Sequence, residues 1–567
     1  MSLLFKHLAK DFFSKKTMVT ILSLILVFTS FMYFFVHFAI DENLRRLSVQ
    51  SLSNHEVKYM VALKSNQILI RNITISMVGI LSLILFLFMR GTLRKNQIKI
   101  AQFLSMGFSF GHIIRSYVLL IFSLSFVSSL LGFGLGFWGS SILISANAQT
   151  YLVNGLEKGL SVQSFVTGIL WLSLFLGIIT YLAGLTIGNK DIALMLKQTN
   201  LNMTRPGIIE KILQKLPVRR KFRFELTLSS FNSLGLLIVA IVTFSIMFVL
   251  SVSLILSSSK VIESQKDGRH FTYDISYKHY QNDDLKKSSA ALPYLKYDTE
   301  MEYKNNKVNY HVVSLKGSSR LFQLFDHKGK QLNAAKGVFL NPELKENYGI
   351  KAGDSIDLKV KGKKYKVVVS GFAENADLKT IYVPEKQAQN MIKEKGKVFN
   401  GLLTNKIPST DGKVTSFKKK IAAVKRSQTS NKVSAIINQS IGIITGCLLI
   451  YLAIFIGLNN NINNILVFDL LGYDRQEINK ILLNPYIILS NILFLLTLPL
   501  GIYAAQYIQR MTSLQTGDYM PFQFSLLTFI YMLAIMNVLC LAIRFLFVLN
   551  VRKIIHNERQ AEFLVEW

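Results

Sequence analysis

Long apolar blocks alternate with polar segments along this chain. Each block is about 20 residues long and almost free of charge, the length that an α-helix needs to cross a bilayer. A shorter run would more often be a buried core helix. The pattern therefore predicts an α-helical integral membrane protein with eight transmembrane helices. The blocks are Met18–Ile40, Ile68–Met89, Ser116–Phe137, Phe165–Ile187, Leu234–Leu256, Ile436–Leu458, Leu482–Tyr507 and Phe524–Leu549.

One polar stretch is long enough to form a domain of its own. Ser257–Ala435 separates the fifth apolar block from the sixth. Alternation of polar and apolar residues predicts strands here, and strands mixed with helices predict an α+β domain. The predicted elements are a strand at Ser355–Val360, a turn at Lys361–Lys363, a strand at Tyr365–Val369, a strand at Ile381–Pro384 and a helix at Glu385–Lys395.

The first apolar block has a second interpretation, as a secretory signal peptide. Its run is longer than the apolar core of a signal peptide, and no small-x-small cleavage site follows before Asp41. We therefore expect a retained membrane helix at Met18–Ile40.

Basic residues collect in alternate loops. The segment Asn189–Ser233 carries nine Lys and Arg against three acids. Because Lys and Arg accumulate in short cytoplasmic loops, the pattern predicts both termini inside and the large domain outside the cell. The other basic segments are the N-terminal tail with Lys6, Lys10, Lys15 and Lys16, and the loop with Arg90, Arg94, Lys95 and Lys99.

The formal net charge of the chain is +32. The predicted outer domain is also basic, with 34 Lys and Arg residues against 18 Asp and Glu residues. This excess reflects either the Lys-richness of the whole chain or an anionic partner outside, such as lipid phosphates, a pyrophosphate-bearing lipid or a wall polymer. Its field would repel a strongly cationic peptide at long range. A local acidic patch at Asp283 and Asp284 would still allow such a peptide to bind.

Residues that carry catalysis or hold metals are sparse. Cys447 and Cys540 both fall inside apolar blocks, so the polar domain has neither a disulfide nor a thiolate site. The glycine loop that cradles nucleotide phosphates is absent. We therefore predict no catalytic, cofactor-binding or metal-binding residues in this chain, and an enzyme is a remote alternative. The scattered histidines of the polar domain are His270, His279, His311 and His327.

The two halves of the chain share a local pattern after their second helix. The first copy runs Lys99–Phe108 and the second Asn464–Tyr473, each with an isoleucine six residues after its glycine. Each copy predicts a short amphipathic helix that ends at glycine, a residue that readily adopts the left-handed conformation. One copy alone would favour a membrane-surface helix. The repetition favours segments, here 94–114 and 459–481, that transmit the motion of a bound cytoplasmic protein.

These segments resemble the cytoplasmic motif of the FtsX-like permeases. Arg94-Lys95, followed by Lys99–Ala101 and Met106-Gly107, is similar to its first copy, and Leu470–Tyr473 to its second. Lys99 stands where that family usually has Glu. The outer domain resembles the family in its middle part, over Gly337–Leu344, Tyr348–Leu358 and Tyr365–Gly371.

Within that family the arrangement looks most like the bacitracin-type peptide-resistance permeases, which usually have ten spans rather than eight. The resemblance implies two four-helix FtsX-like units and one extracellular α+β domain. The implied parts are an amphipathic N-terminus (1–17), a first unit (18–188), a cytoplasmic linker (189–233), a fifth helix (234–256), the extracellular domain (257–435), three last helices (436–549) and a cytoplasmic tail (550–567).

The resemblance also implies partners. A separate cytoplasmic ABC ATPase, expected as a dimer, would bind ATP and Mg²⁺, and this chain would hold no cofactor. Membrane lipids are expected around the helices, with a sensor kinase or an extracellular protein as further candidates and no nucleic acid. The residues expected to couple to the ATPase are Lys99, Ile100, Phe103, Met106, Gly107, Phe468, Leu471, Gly472 and Tyr473.

The apolar blocks suggest how the helices pack. Small residues recur every four positions in the third block, a spacing that lets membrane helices approach closely. Strongly polar residues are few, and a path for a hydrophilic solute would need more of them. Surface helices are predicted at Leu3–Phe13 and Ile208–Leu216. The small residues are Ser128, Gly132, Gly136 and Ser140, and the polar ones His37, Asn491, Asn537 and Arg544.

Three functions remain open at this point. The first is a permease that removes antimicrobial peptides or amphiphiles from the membrane. The second is an ATPase-driven regulator of a cell-wall hydrolase or another outer partner, which transports nothing. The third is export of a lipid, lipoprotein or peptide.

Overall fold

The computed structural model describes residues 2–14, 16–49, 53–188, 217, 231–282, 291–304, 306–316, 319–392, 394, 398–406, 411–460, 467–516 and 519–565. Three sequence predictions lie outside them: the surface helix at Ile208–Leu216, the acidic patch at Asp283 and Asp284, and nearly all of the 189–233 linker.

The described chain forms two compact units. We call the first the helical unit; it comprises Met1–Val252, Ile436–Gln506 and Phe524–Trp567. We call the second the sheet unit; it comprises Ser253–Ala435 and Tyr507–Gln523.

The helices carry most of the apolar residues. A π-helical turn at Thr167–Trp171 joins α6 to α7. The helices are α1 (Ser2–Ser14), α2 (Lys16–Leu47), α3 (Asn54–Lys95), α4 (Gln97–Ser105), α5 (Phe110–Tyr151), α6 (Val162–Val166), α7 (Leu172–Gly188), α8 (Phe231–Ser264), α9 (Pro342–Tyr348), α10 (Glu385–Ile392), α11 (Phe417–Asn460), α12 (Arg475–Leu482), α13 (Asn484–Thr516) and α14 (Leu526–Val565).

Within the described residues, eight helical stretches are long and apolar enough to cross a membrane, and each overlaps one predicted block. The prediction of a helical membrane protein is thus confirmed. The stretches are Val19–Leu47, Met77–Arg94, Phe110–Ala148, Val162–Thr186, Ser233–Ser264, Phe417–Leu458, Gln476–Leu514 and Leu526–Val548.

Several helices extend beyond their apolar blocks. The polar segment between the first two apolar blocks, Asp41–Gln67, is mostly helical, since α2 continues to Leu47 and α3 begins at Asn54. A capping box starts α3: the Glu56 backbone N–H donates to Ser53 Oγ (3.4 Å), and the Ser53 backbone N–H donates to Glu56 Oε2 (2.8 Å). The capping hydrogen bonds therefore start α3 at Asn54, well before the apolar block that begins at Ile68.

The predicted stripe of small residues is a packing surface. A Cβ at Gly132 would lie 2.6 Å from Ser30 Cβ, and one at Gly136 would lie 2.6 Å from Phe34 Cβ. Ser30 Oγ and Ser129 Oγ, which are 3.0 Å apart, form a hydrogen bond across the same contact. Helices α2 and α5 thus approach as closely as their backbones allow, and the packing interpretation is confirmed.

A nine-stranded sheet forms the sheet unit. The strand order is β11-β1-β10-β2-β3-β9-β6-β8-β7, and a two-stranded sheet pairs β4 with β5. Neighbours are antiparallel except for β3–β9 and β6–β8. The strands are β1 (Tyr273–Asn282), β2 (Ala291–Tyr303), β3 (Asn306–Leu315), β4 (Leu324–Phe325), β5 (Gln331–Leu332), β6 (Val338–Leu340), β7 (Ser355–Val360), β8 (Lys363–Phe372), β9 (Thr380–Tyr382), β10 (Val398–Thr404) and β11 (Lys413–Ser416).

The strands predicted at Ser355–Val360 and Tyr365–Val369 and the turn between them are confirmed. The strand predicted at Ile381–Pro384 is shifted to Thr380–Tyr382, and the predicted helix is shorter than expected. Strand β7 has the predicted limits, and β8 contains the predicted partner strand. The turn between them has positive φ at Lys361 (46°) and Gly362 (80°), as a tight hairpin requires. Helix α10 ends at Ile392 rather than at Lys395.

Both faces of the sheet are buried. Because successive side chains of a strand point to opposite faces, Leu295 of β2 joins one apolar cluster while Leu292 joins another. In β3, Val312 belongs to the first of these clusters and the adjacent Val313 belongs to the second. Helices α9 and α10 contribute to the first cluster, and the loop before β4 contributes to the second.

A glycine in β10 makes room for an aromatic ring of β2. A Cβ at Gly401 would lie only 2.0 Å from Cζ of Tyr294, whose hydroxyl donates to Asp274 Oδ1 (2.8 Å). Replacing Gly401 with alanine should therefore displace this ring. We expect the overpacking to cost about 1–3 kcal/mol of stability.

Thermal unfolding of the full-length protein, followed by protease cleavage within the sheet unit, measures this effect. The matched control is Gly371→Ala in β8, where a Cβ would meet its nearest neighbour at 3.6 Å. Equal melting temperatures for the two variants would contradict the ring-packing argument.

Candidate functional site

The first predicted coupling segment is a helix closed by a left-handed glycine. Helix α4 ends at Ser105, and Gly107 has φ of 89°. The Gly107 backbone N–H donates to the Leu104 carbonyl (3.0 Å), and that of Phe108 donates to the Phe103 carbonyl (3.1 Å). The bond from Phe108 to Phe103, which joins residues five positions apart, is typical of a helix that terminates at a glycine.

The second segment closes in the same way. Residues 467–470 are helical, and Gly472 has φ of 79°. The Gly472 backbone N–H donates to the Asp469 carbonyl (3.1 Å), and that of Tyr473 donates to the Phe468 carbonyl (3.0 Å). The repeated sequence pattern therefore has a repeated backbone geometry.

A pair of aromatic rings packs together at each turn. The rings of Phe103 and Phe108 meet edge-on with centroids 6.1 Å apart, and those of Phe468 and Tyr473 do so at 5.6 Å. Such edge-to-face pairs stabilise by about 0.5–1.5 kcal/mol beyond their buried area. Each ring pair links the last turn of the helix to the residue after its glycine.

The next helix starts at the same place in both copies. Ser109 precedes α5 and Asp474 precedes α12, each with extended backbone. Ile113 and Ile478, six residues after the glycines, are both fully buried. The orientation of each turn is thus set by an apolar anchor inside the helical unit.

The tips of the turns expose apolar side chains. Met106 is 75% exposed, Leu471 is 68% exposed and Tyr473 is 43% exposed. By contrast, Ile100 is buried on the inner face of α4, and Phe468 is buried at the base of the second turn. Exposed apolar groups carried on an ordered turn are typical of a surface that contacts another protein.

Lys99 has a partner within the chain. Its Nζ lies 2.6 Å from Oδ1 of Asp11 in α1. Asn96 Nδ2 donates to the other oxygen of the same carboxylate (3.1 Å) and lies 3.3 Å from Tyr117 Oη. Lys99 therefore attaches α1 to α4.

The role of Asp11 was not predicted from the sequence. The signal that could have found it is its isolation, because Asp11 is the only acidic residue before Asp41. A single carboxylate in an otherwise basic amphipathic helix indicates a specific cationic partner nearby.

Reversing this ion pair tests the attachment of α1. Asp11→Lys should speed chymotryptic release of α1 from the folded protein, because it places like charges together and removes the acceptor of Asn96. An exposed pair contributes roughly 0.2–1 kcal/mol, so we expect a change of a few fold.

The double variant Asp11→Lys/Lys99→Asp should recover most of the protection. Lys10→Asp serves as the control, since it changes an exposed charge of the same helix. Faster release from the double variant than from Asp11→Lys alone would contradict the pairing.

Among the described residues, no group of three or more His, Cys, Asp or Glu is placed to hold a metal ion. Hydrogen bonds join three of the polar residues of the spans to neighbouring helices. Asn491 and Asn537 exchange two amide hydrogen bonds (3.0 and 3.1 Å). His37 Nδ1 lies 2.9 Å from Asp41 Oδ1 and 3.0 Å from Ser164 Oγ.

These features define a multi-pass helical membrane protein with a β-rich region. Residues 440–554 match the FtsX-like permease C-terminal family, and this stretch includes the second glycine turn. The match supports the FtsX-like permease family and a permease component of the ABC-transporter type. Such permeases are generally not catalytic themselves and generally work with a cytoplasmic ABC ATPase. No curated protein matches the chain.

Proposed function

We propose that this chain is the permease subunit of an ABC transporter, in which a separate ATPase drives conformational change across the membrane. The pair of glycine turns, with matching hydrogen bonds and exposed apolar tips, carries this proposal. In the proposed topology both turns face the cytoplasm, and each contacts one subunit of an ATPase dimer.

The proposed mechanism is mechanical. The first turn leads directly into the long helix α5, and the second leads into the short helix α12, which Leu483 joins to the long helix α13. Each turn is anchored by a buried isoleucine, so a displaced tip would move a membrane helix with it. Helices α8, α11 and α13 each contribute residues to both units, and force applied to the helical unit would pass along them to the sheet unit. The sheet unit is the outer domain in this proposal.

The proposed substrate is hydrophobic or amphiphilic, and antimicrobial peptide resistance is the physiological setting that we favour. The paired Asn491 and Asn537 support this proposal, because their amides bond each other rather than line a hydrophilic path. The same observation suits a second candidate, in which the chain regulates an extracellular cell-wall enzyme and transports nothing.

Side-specific labelling tests the orientation. Single cysteines at Met106, Leu471 and Lys386, introduced after Cys447 and Cys540 have been replaced, are treated with a membrane-impermeant maleimide. We expect Lys386→Cys of the sheet unit to react in intact cells and the two turn cysteines to react only after permeabilisation. The reverse pattern would refute the proposed topology.

Purification from native membranes tests the partner. We expect an ABC ATPase to remain bound, and its ATP hydrolysis to change when the permease is present.

Deletion of the gene distinguishes transport from regulation of an extracellular enzyme. Lower tolerance to wall-active peptides supports transport, whereas unchanged tolerance with altered cell separation supports the regulator.

A further inference from the structure

The sheet unit contains a cavity of about 340 Å³ between one face of the sheet and the first turns of α11. This volume is about twice that of an engineered 150 Å³ protein cavity that binds benzene. It falls in the range of small-molecule sites, which begins near 300 Å³. Every residue that lines the cavity belongs to the sheet unit.

Most of the cavity wall is apolar. Leu315 and Leu403 contribute from the sheet, Phe322 from the loop before β4, and Ile421 and Val424 from α11. Leu315, Phe322 and Leu403 are themselves buried members of one apolar cluster of the unit. A ligand that fills this space therefore gains chiefly by burying apolar surface.

Two carboxylates also line the cavity, and each is bonded at both of its oxygens. The first is Asp274, whose Oδ1 accepts from the Tyr294 hydroxyl (2.8 Å) and whose Oδ2 accepts from Lys420 Nζ. Because Lys420 already neutralises this carboxylate, Asp274 contributes no net negative charge that would attract a cationic ligand.

The second carboxylate, Asp377, has the same arrangement. Arg269 Nη2 donates to its Oδ1 (2.7 Å), and the Tyr382 hydroxyl donates to its Oδ2 (3.0 Å). Burial alone would raise the pKa of Asp377, but the charge of Arg269 and these hydrogen bonds lower it below its ordinary value. The carboxylate is thus ionised and neutralised within the protein.

Arg269 already uses both of its terminal nitrogens in hydrogen bonds within the protein. Its side chain is only 3% exposed, and it also donates to the backbone carbonyls of Ser264, Asp267 and Asn375. It is therefore a structural cation that ties α8 to the loop that carries Asp377.

The positive charge that remains comes from two lysines. Lys296 lines the cavity from β2, is exposed, and forms no ion pair among the residues that the structure describes. Lys420 gives one N–H to Asp274, and its side chain keeps 45% of its surface exposed. Three cations against two carboxylates leave a net charge of +1 around an apolar cavity.

From this arrangement we propose that the cavity binds a small amphiphilic anion: one phosphate or carboxylate head held by Lys296 and Lys420, and a short apolar body against Leu315, Leu403 and Ile421. The site goes beyond the proposed coupling to an ATPase, because binding at the cavity requires neither nucleotide nor a partner chain.

Equilibrium binding of radiolabelled hexyl phosphate to the full-length protein in phosphatidylcholine nanodiscs tests this site, with empty nanodiscs subtracted. We expect saturable binding that weakens about fourfold for each methylene removed, the change expected for burial of one CH₂ group. Hexylammonium should not compete, since the free charges of the site are positive.

Variants locate the binding. Lys296→Gln should weaken hexyl phosphate binding about tenfold, as loss of one charge-assisted hydrogen bond does. Lys386→Gln, which removes an exposed lysine from α10, should leave the affinity unchanged. Absence of saturable binding, competition by hexylammonium, or equal affinities for the two variants would each overturn the proposal.

Nanodiscs that contain anionic phosphatidylglycerol distinguish the sources of such a ligand. If the occupant is a bilayer lipid, these nanodiscs should lower the apparent affinity for hexyl phosphate in the wild type. If it is a soluble amphiphile, the affinity should change only as ionic screening predicts. Both results support an amphiphilic anion as the ligand. Neither result depends on ATPase binding. Failure of this proposal would therefore leave the proposed coupling to an ATPase untouched, and the reverse also holds.

Discussion

Replacing Met106 and Leu471 with aspartate should reduce permease-dependent ATP hydrolysis by the proposed partner ATPase at least tenfold. Both side chains lie at the tips of the glycine turns and are mostly exposed in the free chain. Docking onto an ATPase would bury them, and a carboxylate without a partner is costly to bury. Because a few buried apolar groups dominate most interfaces, losing one anchor on each turn should release the complex.

The same double variant should fold normally, since neither side chain is part of a buried cluster. Its melting temperature should stay within a few degrees of the wild type, whereas copurification of the ATPase should be lost. The matched control is Met106→Leu/Leu471→Met, which keeps the volume and the apolar character of both tips. Full ATPase stimulation by the aspartate variant would show that the turns are not the coupling surface.

Gly136→Leu should prevent recovery of folded protein from membranes, and Gly132→Leu should do the same. The Cβ that either substitution adds would lie within 3 Å of backbone atoms of α2, including Phe31 N (2.8 Å) beside Gly132 and Phe35 N (2.9 Å) beside Gly136. Backbone atoms cannot rotate away, so the two helices must separate along their contact. Overpacking usually lowers stability by about 1–3 kcal/mol. Because the added side chain meets rigid backbone here, we expect a loss at or above the upper end of that range.

Gly134→Leu is the control for these variants. It lies in the same helix between the two glycines, and a Cβ there would meet nothing within 4 Å. Size-exclusion profiles from detergent-solubilised membranes should therefore show a single sharp peak for the Gly134 variant and aggregation for the other two. Similar profiles for all three would refute close packing of α2 against α5.

Local features of this protein could be predicted from its sequence because the signals that produce them are local. Apolar blocks of about 20 residues locate the spans since no water in the bilayer core can bond an unpaired backbone group. The Lys361-Gly362 turn follows from the flanking strand patterns, and the glycines at 107 and 472 mark turns that need positive φ. In each case the determining residues lie within a few positions of the structure that they determine.

Contacts between distant residues could not be read in this way. The hydrogen bonds that the Asp274 carboxylate accepts depend on Tyr294 and Lys420, the latter 146 positions further along the chain. The Lys99–Asp11 pair joins residues 88 positions apart. Nothing near position 99 in the sequence indicates that the partner of this lysine belongs to the same chain.

By itself, therefore, the sequence determined the membrane-spanning character, the strand pattern of the polar domain and the repeated glycine-ended helix, because hydrophobic periodicity and backbone conformational preference act over short spans. Only the tertiary structure decided which small residues meet α2, which cations neutralise Asp274 and Asp377, and that an apolar cavity lined by Lys296 and Lys420 lies beside α11. These features depend on packing between segments far apart in the chain, and many sequences with the same local pattern would pack differently.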